Sequence, residues 1–434
     1  MTKFTHKLSK LILSPAIRVV MFALLSACFG AGAALAQTRG YVTNGNDNTV
    51  SVIDTATNLV IATVPVGLSP SAVAVTPNGR FAYVVNTLGN TVSVISAASN
   101  TVVATVPVGT FPTGIAITPN GAFAYVTSNA ASTISVIDTA TNTVVTTIPA
   151  SAPFKLAIAP SGNLGYVTHG ALVNGVSVLN TAPNSVVTNI PITVDVTIAA
   201  AVTPNSAFVY VTCLSFTTGA KLAVIATATN TVAAIVPLPG TFPPALAITP
   251  DGAFAYVANN GGGVCCGGGG ASSVSVIDTA SNTEIANVPV GTPTGIAVTP
   301  DRAFVYVTNI DNNTVSVVST ATNTVALAVP VGNFPQSIAF GTLTPEQDPV
   351  KALIAQVEAL IAAGALTQNQ GAGLIDKIHE ASAKLAAGQT GAACNQLSSF
   401  INQVVAFIGN GTLTPAQGQP LIDLANAIKT KSGC

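Results

Sequence analysis

The sequence has little charge and few of the side chains that usually hold cofactors. Only 7% of its 434 residues are charged, tryptophan is absent, and there are three histidines. The shortage of Lys and Arg disfavours nucleic acid and anionic membranes as partners, because both attract positively charged proteins. The missing Trp, the few His and the lack of a Cys-x-x-Cys-His motif disfavour quinone or haem chemistry. We therefore expect no cofactor and no resident metal.

The seven tyrosines mark an internal repeat of 41 to 50 residues. Each is followed by a second Val/Ile-rich stretch, a five-residue turn that ends in Asn, and a third stretch that ends at a proline. A fourth apolar stretch then leads through a short turn to the next tyrosine. Asparagine suits hairpin turns, and proline belongs at a sheet edge because it cannot donate to a ladder. The tyrosines are Tyr41, Tyr83, Tyr125, Tyr166, Tyr210, Tyr256 and Tyr306.

Four short antiparallel strands at this period are typical of a β-propeller blade, whereas a β-solenoid or a sandwich would show shorter repeats or none. The first tyrosine lacks a preceding innermost strand, and residues 335–340 resemble an innermost strand without a successor. We expect the two ends to pair and to close the ring non-covalently. The predicted fold is an all-β seven-bladed β-propeller over 37–340, a linker over 341–348 and an all-α four-helix domain over 349–434.

The repeat motif resembles that of the YVTN-type, YncE-like propeller family of surface-layer and periplasmic proteins. The motif is Tyr-Val-Thr-Asn with Thr-Pro-Asp-Gly and Thr-Val-Ser-Val-Ile-Asp around it, and it covers residues 40–340. The resemblance implies a seven-bladed propeller. It implies no single activity, since similar propellers serve as scaffolds, binding proteins, lactonases and redox-enzyme subunits.

Residues 1–36 are typical of an export signal. Basic residues precede an apolar run, and Ala34-Leu-Ala36 provides a small-x-small cleavage site. Leu25-Ser-Ala-Cys28 also resembles a bacterial lipobox, in which Cys28 would be lipidated, and an uncleaved anchor is a third interpretation. Removal of the segment would leave ten basic and fifteen acidic residues, a net charge of −5. We expect an extracytoplasmic bacterial protein that contacts a membrane only if it is lipidated or remains anchored.

From residue 341 the hydrophobic period changes to that of helices, predicted at 349–363, 370–387, 391–408 and 415–431. Gly364, Gly388 and Gly409 are the predicted stop signals of the first three. The segment Asn395-Gln-Leu-Ser-Ser-Phe-Ile-Asn-Gln-Val404 resembles the FIMAH-type helical domain of secreted bacterial proteins, which implies an attachment or interaction module. Packing of this domain against the propeller is the alternative interpretation.

The cysteines are consistent with export. Cys394 and Cys434 are the two cysteines of the helical domain, and we expect them to form a disulfide. Cys265 and Cys266 are adjacent in a glycine-rich segment, which favours a vicinal disulfide or two inert thiols over a metal site. Cys213 is expected to be a buried small residue.

Loop lengths point to one face of the propeller. The connections after the tyrosine strand and after the edge proline vary in length, whereas the other two are constant. Alternate connections of a meander share a face, so one face, called here the variable face, carries the variation, and ligand sites favour such loops. Asp47 and Asp311 fall in the first and last blades and are a candidate cation pair. The ligand-binding candidates on this face are Asp47, Lys155, His169, Asp195, Lys221 and Asp311.

The sequence favours a non-enzymatic binding or scaffold protein whose partner is a protein or a cell-envelope polymer. His169 is expected near the channel, but without a placed nucleophile or base it makes no catalytic site. The alternative is a lactonase-like or lyase-like enzyme at the channel mouth. Nucleic-acid or metal binding through the same loops is a second alternative, disfavoured by the charge. Convergence of Lys155 and His169 with two of the loop acids would favour the enzyme.

Overall fold

The computed structural model describes residues 37–170, 175–240, 242–261, 271–343, 349–387 and 389–434. The chain divides into a β unit, Gln37–Leu343, and a helical unit within 349–434. The β unit is a seven-bladed propeller built from seven four-stranded antiparallel sheets. The predicted fold class is confirmed.

Each blade has an innermost strand, a tyrosine strand, a third strand and an edge strand. The innermost strands are β4 (Pro70–Val75), β8 (Pro112–Ile117), β12 (Pro153–Ile158), β16 (Val196–Val202), β20 (Phe242–Ile248), β24 (Pro293–Val298) and β28 (Pro335–Leu343). The tyrosine strands are β1 (Gln37–Asn44), β5 (Phe81–Asn86), β9 (Phe123–Ser128), β13 (Leu164–His169), β17 (Phe208–Ser215), β21 (Phe254–Asn260) and β25 (Phe304–Asn309). The third strands are β2 (Thr49–Asp54), β6 (Thr91–Ser96), β10 (Thr133–Asp138), β14 (Val176–Asn180), β18 (Gly219–Ala226), β22 (Ser273–Asp278) and β26 (Thr314–Ser319). The edge strands are β3 (Leu59–Pro65), β7 (Thr101–Pro107), β11 (Thr143–Pro149), β15 (Ser185–Ile190), β19 (Thr231–Pro237), β23 (Thr283–Pro289) and β27 (Thr324–Pro330).

The ring closes through pairing of the two ends of the β unit. Blade 1 has the strand order β28-β1-β2-β3, and blades 2 to 7 follow in chain order. In blade 1, Gly40 lies opposite Phe340 and Gln37 opposite Leu343. Residues 341–343, which the sequence assigned to the linker, therefore belong to the sheet, because 37–39 offer them a partner strand.

Five of the seven tyrosines hydrogen-bond to the neighbouring blade, whereas the hydroxyls of Tyr41 and Tyr166 have no hydrogen-bond partner among the described residues. All seven side chains are buried. Tyr83 donates a hydrogen bond of 2.6 Å to the Oδ1 of Asn142, in the outer hairpin of the next blade. Tyr125 makes the same 2.6 Å bond to Asn184, and Tyr306 bonds Asn58 across the closure. These turn asparagines also adopt the positive φ expected of them.

The helical unit has four described helices, α1 (Pro349–Ala362), α2 (Gln368–Ala386), α3 (Thr390–Gly409) and α4 (Pro415–Lys431). Their bounds lie within two residues of the predicted ones. Gly409 was wrongly predicted as the stop of the third helix: it lies inside α3, and Gly411 provides the left-handed φ of 78° that ends it. None of the described helices is long and apolar enough to span a membrane.

The helical unit is an internal duplication with an offset of 47 residues. Thr367 and Gln370 form a capping box at the start of α2, and Thr414 and Gln417 repeat it at the start of α4. A Cβ on Gly371 would lie 2.1 Å from the Cδ1 of Ile361, so α1 and α2 pack closely there. Gly418 repeats this contact with Ile408 between α3 and α4. The unit therefore consists of two helical hairpins around one core.

The structure describes three of the six cysteines. Cys394 and Cys434 form a disulfide with a Cα–Cα distance of 5.8 Å, which ties the chain end to α3. Cys213 is a free, buried thiol, and its burial raises its pKa to about 12. Cys28, Cys265 and Cys266 lie outside the described residues.

Candidate functional site

The seven innermost strands surround a central cavity of about 360 Å³. Each strand contributes one residue, at the repeat position that follows Pro70 in β4 and the corresponding residue in the other blades. We call these seven residues the channel ring. Leu88, which follows β5, and Phe111, which precedes β8, also line the cavity and are 64% and 45% exposed. Both belong to variable connections, so the cavity opens on the variable face. The channel ring consists of Ser71, Thr113, Phe154, Ile198, Pro244, Thr294 and Gln336.

Lys155 is the one ionisable side chain among the described residues that line this cavity. It lies on β12, and its Nζ donates a 2.9 Å hydrogen bond to the carbonyl oxygen of Pro244 in blade 6. The residue lines the cavity and is partly exposed as a whole. Loss of hydration lowers its pKa to about 8. In the described part of the chain the only ion pair joins Arg302 to Asp251, so no described carboxylate neutralises Lys155.

His169 lies inside blade 4 and not on the channel. Its Nδ1 donates to the Ser151 carbonyl at 2.7 Å, and its Nε2 accepts from the Ser177 hydroxyl at 2.8 Å. In blade 1 the same repeat position holds Asn44, which donates to Ser51. His169 thus replaces a structural asparagine, and burial lowers its pKa, which favours the neutral ring. The expectation that it faces the channel is wrong.

Lys221 is also part of the blade framework. It lies on β18 opposite Cys213, and it is not among the described residues of the cavity. Cys213 and Ala223 occupy the positions that hold an Asn–Ser hydrogen-bonded pair in other blades, such as Asn44 and Ser51. Blade 5 therefore replaces a polar pair with an apolar one.

The three candidate acids brace separate loops. Asp47 accepts hydrogen bonds of 2.7 Å from the backbone and the side-chain amide of Asn333, and these bonds lower its pKa. Asp195 accepts a 2.6 Å bond from the Phe216 amide. Asp311 accepts from the Thr292 hydroxyl. Among the described residues no group of three or more His, Cys, Asp or Glu is placed to hold a metal.

The structure therefore brings none of the candidate acids to Lys155. Sequence reasoning identified Lys155 but missed the channel ring, although a signal was present. Aligned on the innermost strands, one repeat position supplies all seven ring residues. The next position is Ala72, Gly114, Ala199, Ala245, Gly295 or Ser337 in six blades and Lys155 in the seventh. A long cationic side chain at a position that otherwise holds small residues marks blade 4 as different.

A second cleft, of about 260 Å³, lies between blades 5 and 6 beside the turn that follows β20. Its acidic residue, Asp251, accepts hydrogen bonds from Thr249, Ala253 and Arg302, which lower its pKa to about 2. Asp301 makes the matching turn contacts in the next blade. This carboxylate stabilises a repeated turn, so we place the candidate site in the central cavity.

Comparison with known proteins supports the fold more than any activity. A family model described as "Lactonase, 7-bladed beta-propeller" matches residues 37–156, less than half of the chain. No curated protein matches the sequence.

Solved structures with the same fold include enzymes and a protein of unknown function. Kuenenia stuttgartiensis hydrazine synthase is 25% identical, with a TM-score of 0.59 over 65% of this chain and 92% of that chain. A functionally unknown protein from Desulfotomaculum acetoxidans is 17% identical, with a TM-score of 0.60 over 70% and 99%. The dihydro-heme d1 dehydrogenase NirN, in complex with DHE, is 14% identical, with a TM-score of 0.52 over 71% and 76%. The last two show likeness of fold alone.

Proposed function

We propose that this protein is an exported bacterial binding protein, and not an enzyme, whose ligand enters the central cavity from the variable face. The observation that carries the proposal is the cavity itself. Its size lies within the range of small-ligand sites, and its lining combines large apolar side chains with polar groups that can orient a ligand. Ligand contact would come from the channel ring, Lys155 and the apolar rim.

The groups around the cavity favour binding over catalysis. A general base or nucleophile needs a second group that activates or orients it. Among the described residues, the only hydrogen-bond partner of the Lys155 amine is a backbone carbonyl. His169 has both ring nitrogens engaged inside the blade, and Asp47, Asp195 and Asp311 hold loops. The described residues thus offer a binding charge without a catalytic partner.

An extracytoplasmic location is part of the proposal. A disulfide such as Cys394–Cys434 persists in oxidising compartments and is rare in the bacterial cytosol. The export-signal pattern of residues 1–36 and the low charge are consistent with this location. We further propose that the FIMAH-like helical unit attaches the protein to a partner protein or an envelope polymer, while the propeller receives the ligand.

Lactone hydrolysis is the second candidate, because the matched lactonase family model includes Lys155 at its end. An amine with a pKa of about 8 is partly neutral at neutral pH and can accept a proton from water. Lys155 would then act as the general base towards a lactone in the cavity. This candidate ranks second because no described acid or second base stands beside the amine.

The two candidates separate in one experiment. Full-length protein without residues 1–36 is compared with Ser71→Trp, which fills the cavity, by ligand-observed NMR against small acids, amides and lactones. A binding protein binds at least one compound class, loses it in Ser71→Trp and returns every compound unchanged. Turnover of a lactone that is lost in Lys155→Met would establish the enzyme instead. Binding that persists in Ser71→Trp would refute the cavity as the site.

A further inference from the structure

We propose that the central cavity binds a compact organic carboxylate, with Lys155 as its counter-charge. This inference rests on the proposed binding function and adds the chemical class of the ligand.

The cavity holds one unpaired positive charge. A cation removed from water is costly unless an anion pairs with it. The Lys155 amine has three hydrogens, and Pro244 accepts one of them. The other two hydrogens have no acceptor among the described residues, and two donors suit the two oxygens of a carboxylate. A phosphate dianion would need a second cation, and the described lining contains none.

The neutral polar groups of the channel ring fit the same ligand. Thr113 donates to the Phe154 carbonyl at 2.6 Å and Thr294 to the Pro335 carbonyl at 2.7 Å, so their hydrogens are engaged. Gln336 makes no side-chain hydrogen bond within the described residues and lines the cavity. Its amide nitrogen lies beside Gly45, 2.6 Å from the position of a Cβ built on that glycine, and could donate to an anionic oxygen. Of the polar ring residues, Gln336 alone is left to donate to a ligand, and it does so without adding charge.

The remaining lining predicts an apolar body for the ligand. Phe154, Phe242 and Ile198 line the cavity, and Leu88 and Phe111 stand exposed at its mouth. Aromatic side chains bury large apolar areas and pack edge-to-face with rings. An aryl or branched aliphatic acid would place its carboxylate at Lys155 and its body against these side chains.

The propeller does not need a lysine at this position. The six equivalent residues are Ala, Gly or Ser, and the seven-stranded ring of innermost strands is continuous in all blades. A Cβ on the equivalent Gly114 would lie 2.9 Å from the Cα of Lys155, which shows how closely neighbouring blades approach there. Lys155 places a long charged side chain at a repeat position that holds small residues in the other six blades. Such departures from a repeat are expected at functional sites.

The test uses matched acid and amide pairs: phenylacetate with phenylacetamide, benzoate with benzamide, and isovalerate with isovaleramide. Each pair is titrated calorimetrically into the protein, Lys155→Met and Lys221→Met. We expect at least one acid to bind at least about tenfold more tightly than its amide, because a hydrogen bond to a charged group is stronger than one between neutral groups. Lys155→Met should remove the preference, and Lys221→Met, the matched control outside the described lining, should keep it.

Proton uptake supplies a second readout. An anion at Lys155 raises the pKa of the amine, so binding at pH 8 should take up as much as about half a proton. Titrations in buffers of different ionisation enthalpy measure this uptake, and Lys155→Met should show none.

Three results would overturn the inference. Equal binding of acids and amides would remove the anion preference while leaving a cavity that binds ligands. A preference that survives in Lys155→Met would place the anion elsewhere. If no acid of any pair binds, the carboxylate class is wrong, and the Ser71→Trp comparison decides separately whether the cavity binds anything.

Discussion

The hydroxyl of Tyr125 offers the sharpest test of how the blades hold together. Tyr125→Phe removes its 2.6 Å hydrogen bond to Asn184 and its 3.2 Å bond to the Thr181 carbonyl, and leaves the ring in place. Tyr166→Phe is the matched control, because the buried hydroxyl of Tyr166 has no hydrogen-bond partner in the described structure. The two variants make the same chemical change at the same repeat position.

The expected loss at Tyr125 is about 1–2 kcal/mol. A net hydrogen bond contributes about 0.5–1.5 kcal/mol, and an acceptor left short of a partner adds to the cost. Asn184 is only half-buried, so water replaces part of the lost contact. For a unit of this size, unfolding entropy of about 0.6 kcal/mol per kelvin converts the loss into roughly 2–3 °C. Tyr166→Phe should be neutral or slightly stabilising, since it removes an unsatisfied buried group.

Calorimetric melting of both variants, with urea unfolding as a second measure, makes the comparison. We expect Tyr125→Phe to melt at a lower temperature than Tyr166→Phe. Equal melting temperatures would show that the tyrosines contribute only through ring packing and that the inter-blade hydrogen bonds add nothing measurable.

Three further predictions concern the blade interior and the helical unit. His169→Asn should remove part of the pH dependence of stability. Burial lowers the pKa of His169, so the unfolded chain binds the proton more readily and the free energy of unfolding falls as pH drops below about 6.5. Urea unfolding at several pH values measures this, and an unchanged pH dependence in the variant would contradict it. Reduction of Cys394–Cys434 should lower the unfolding free energy of the helical unit by about 4 kcal/mol, because the bond closes a loop over a sequence separation of 40. The melting temperature of the propeller should not change. Melting curves with dithiothreitol that match those without it would refute this. Gly371→Ala should destabilise the helical unit by about 1–3 kcal/mol, because the new Cβ overlaps the neighbouring helix. Gly391→Ala has open space around its Cβ and should be neutral or stabilising. Circular dichroism melting compares the two, and equal effects would argue against the close helix contact.

Most of the fold could be predicted because the repeat carries local chemistry. The asparagine turns, the edge prolines and the tyrosine spacing each specify a feature within one blade, and closure follows from an unpaired strand at each end. Residues 341–343 were misassigned because their partner, β1, lies about 300 residues away in sequence and its length sets where pairing stops.

The candidate site was harder to predict because the charged residues of the variable loops make structural contacts that their sequence positions do not reveal. Asp47 pairs with Asn333 only because the ring closes, a separation of 286 residues. His169 differed from the common Asn of its position, yet it kept the asparagine's role by bonding Ser177. Lys155 differs from the small residues at the six equivalent positions, and none of those residues has a side chain that could take its role. Of these two departures from the repeat, the one that indicated a site was Lys155, because it does not replace a structural contact made in the other blades.

A crystal structure of the protein soaked with phenylacetate would show directly whether a carboxylate binds in the central cavity. We expect the carboxylate in the central cavity, within about 3 Å of the Lys155 Nζ, and the phenyl group of the ligand against Phe154 and Phe242. Density for the ligand elsewhere on the propeller, or an empty cavity at a concentration where calorimetry shows saturation, would contradict it.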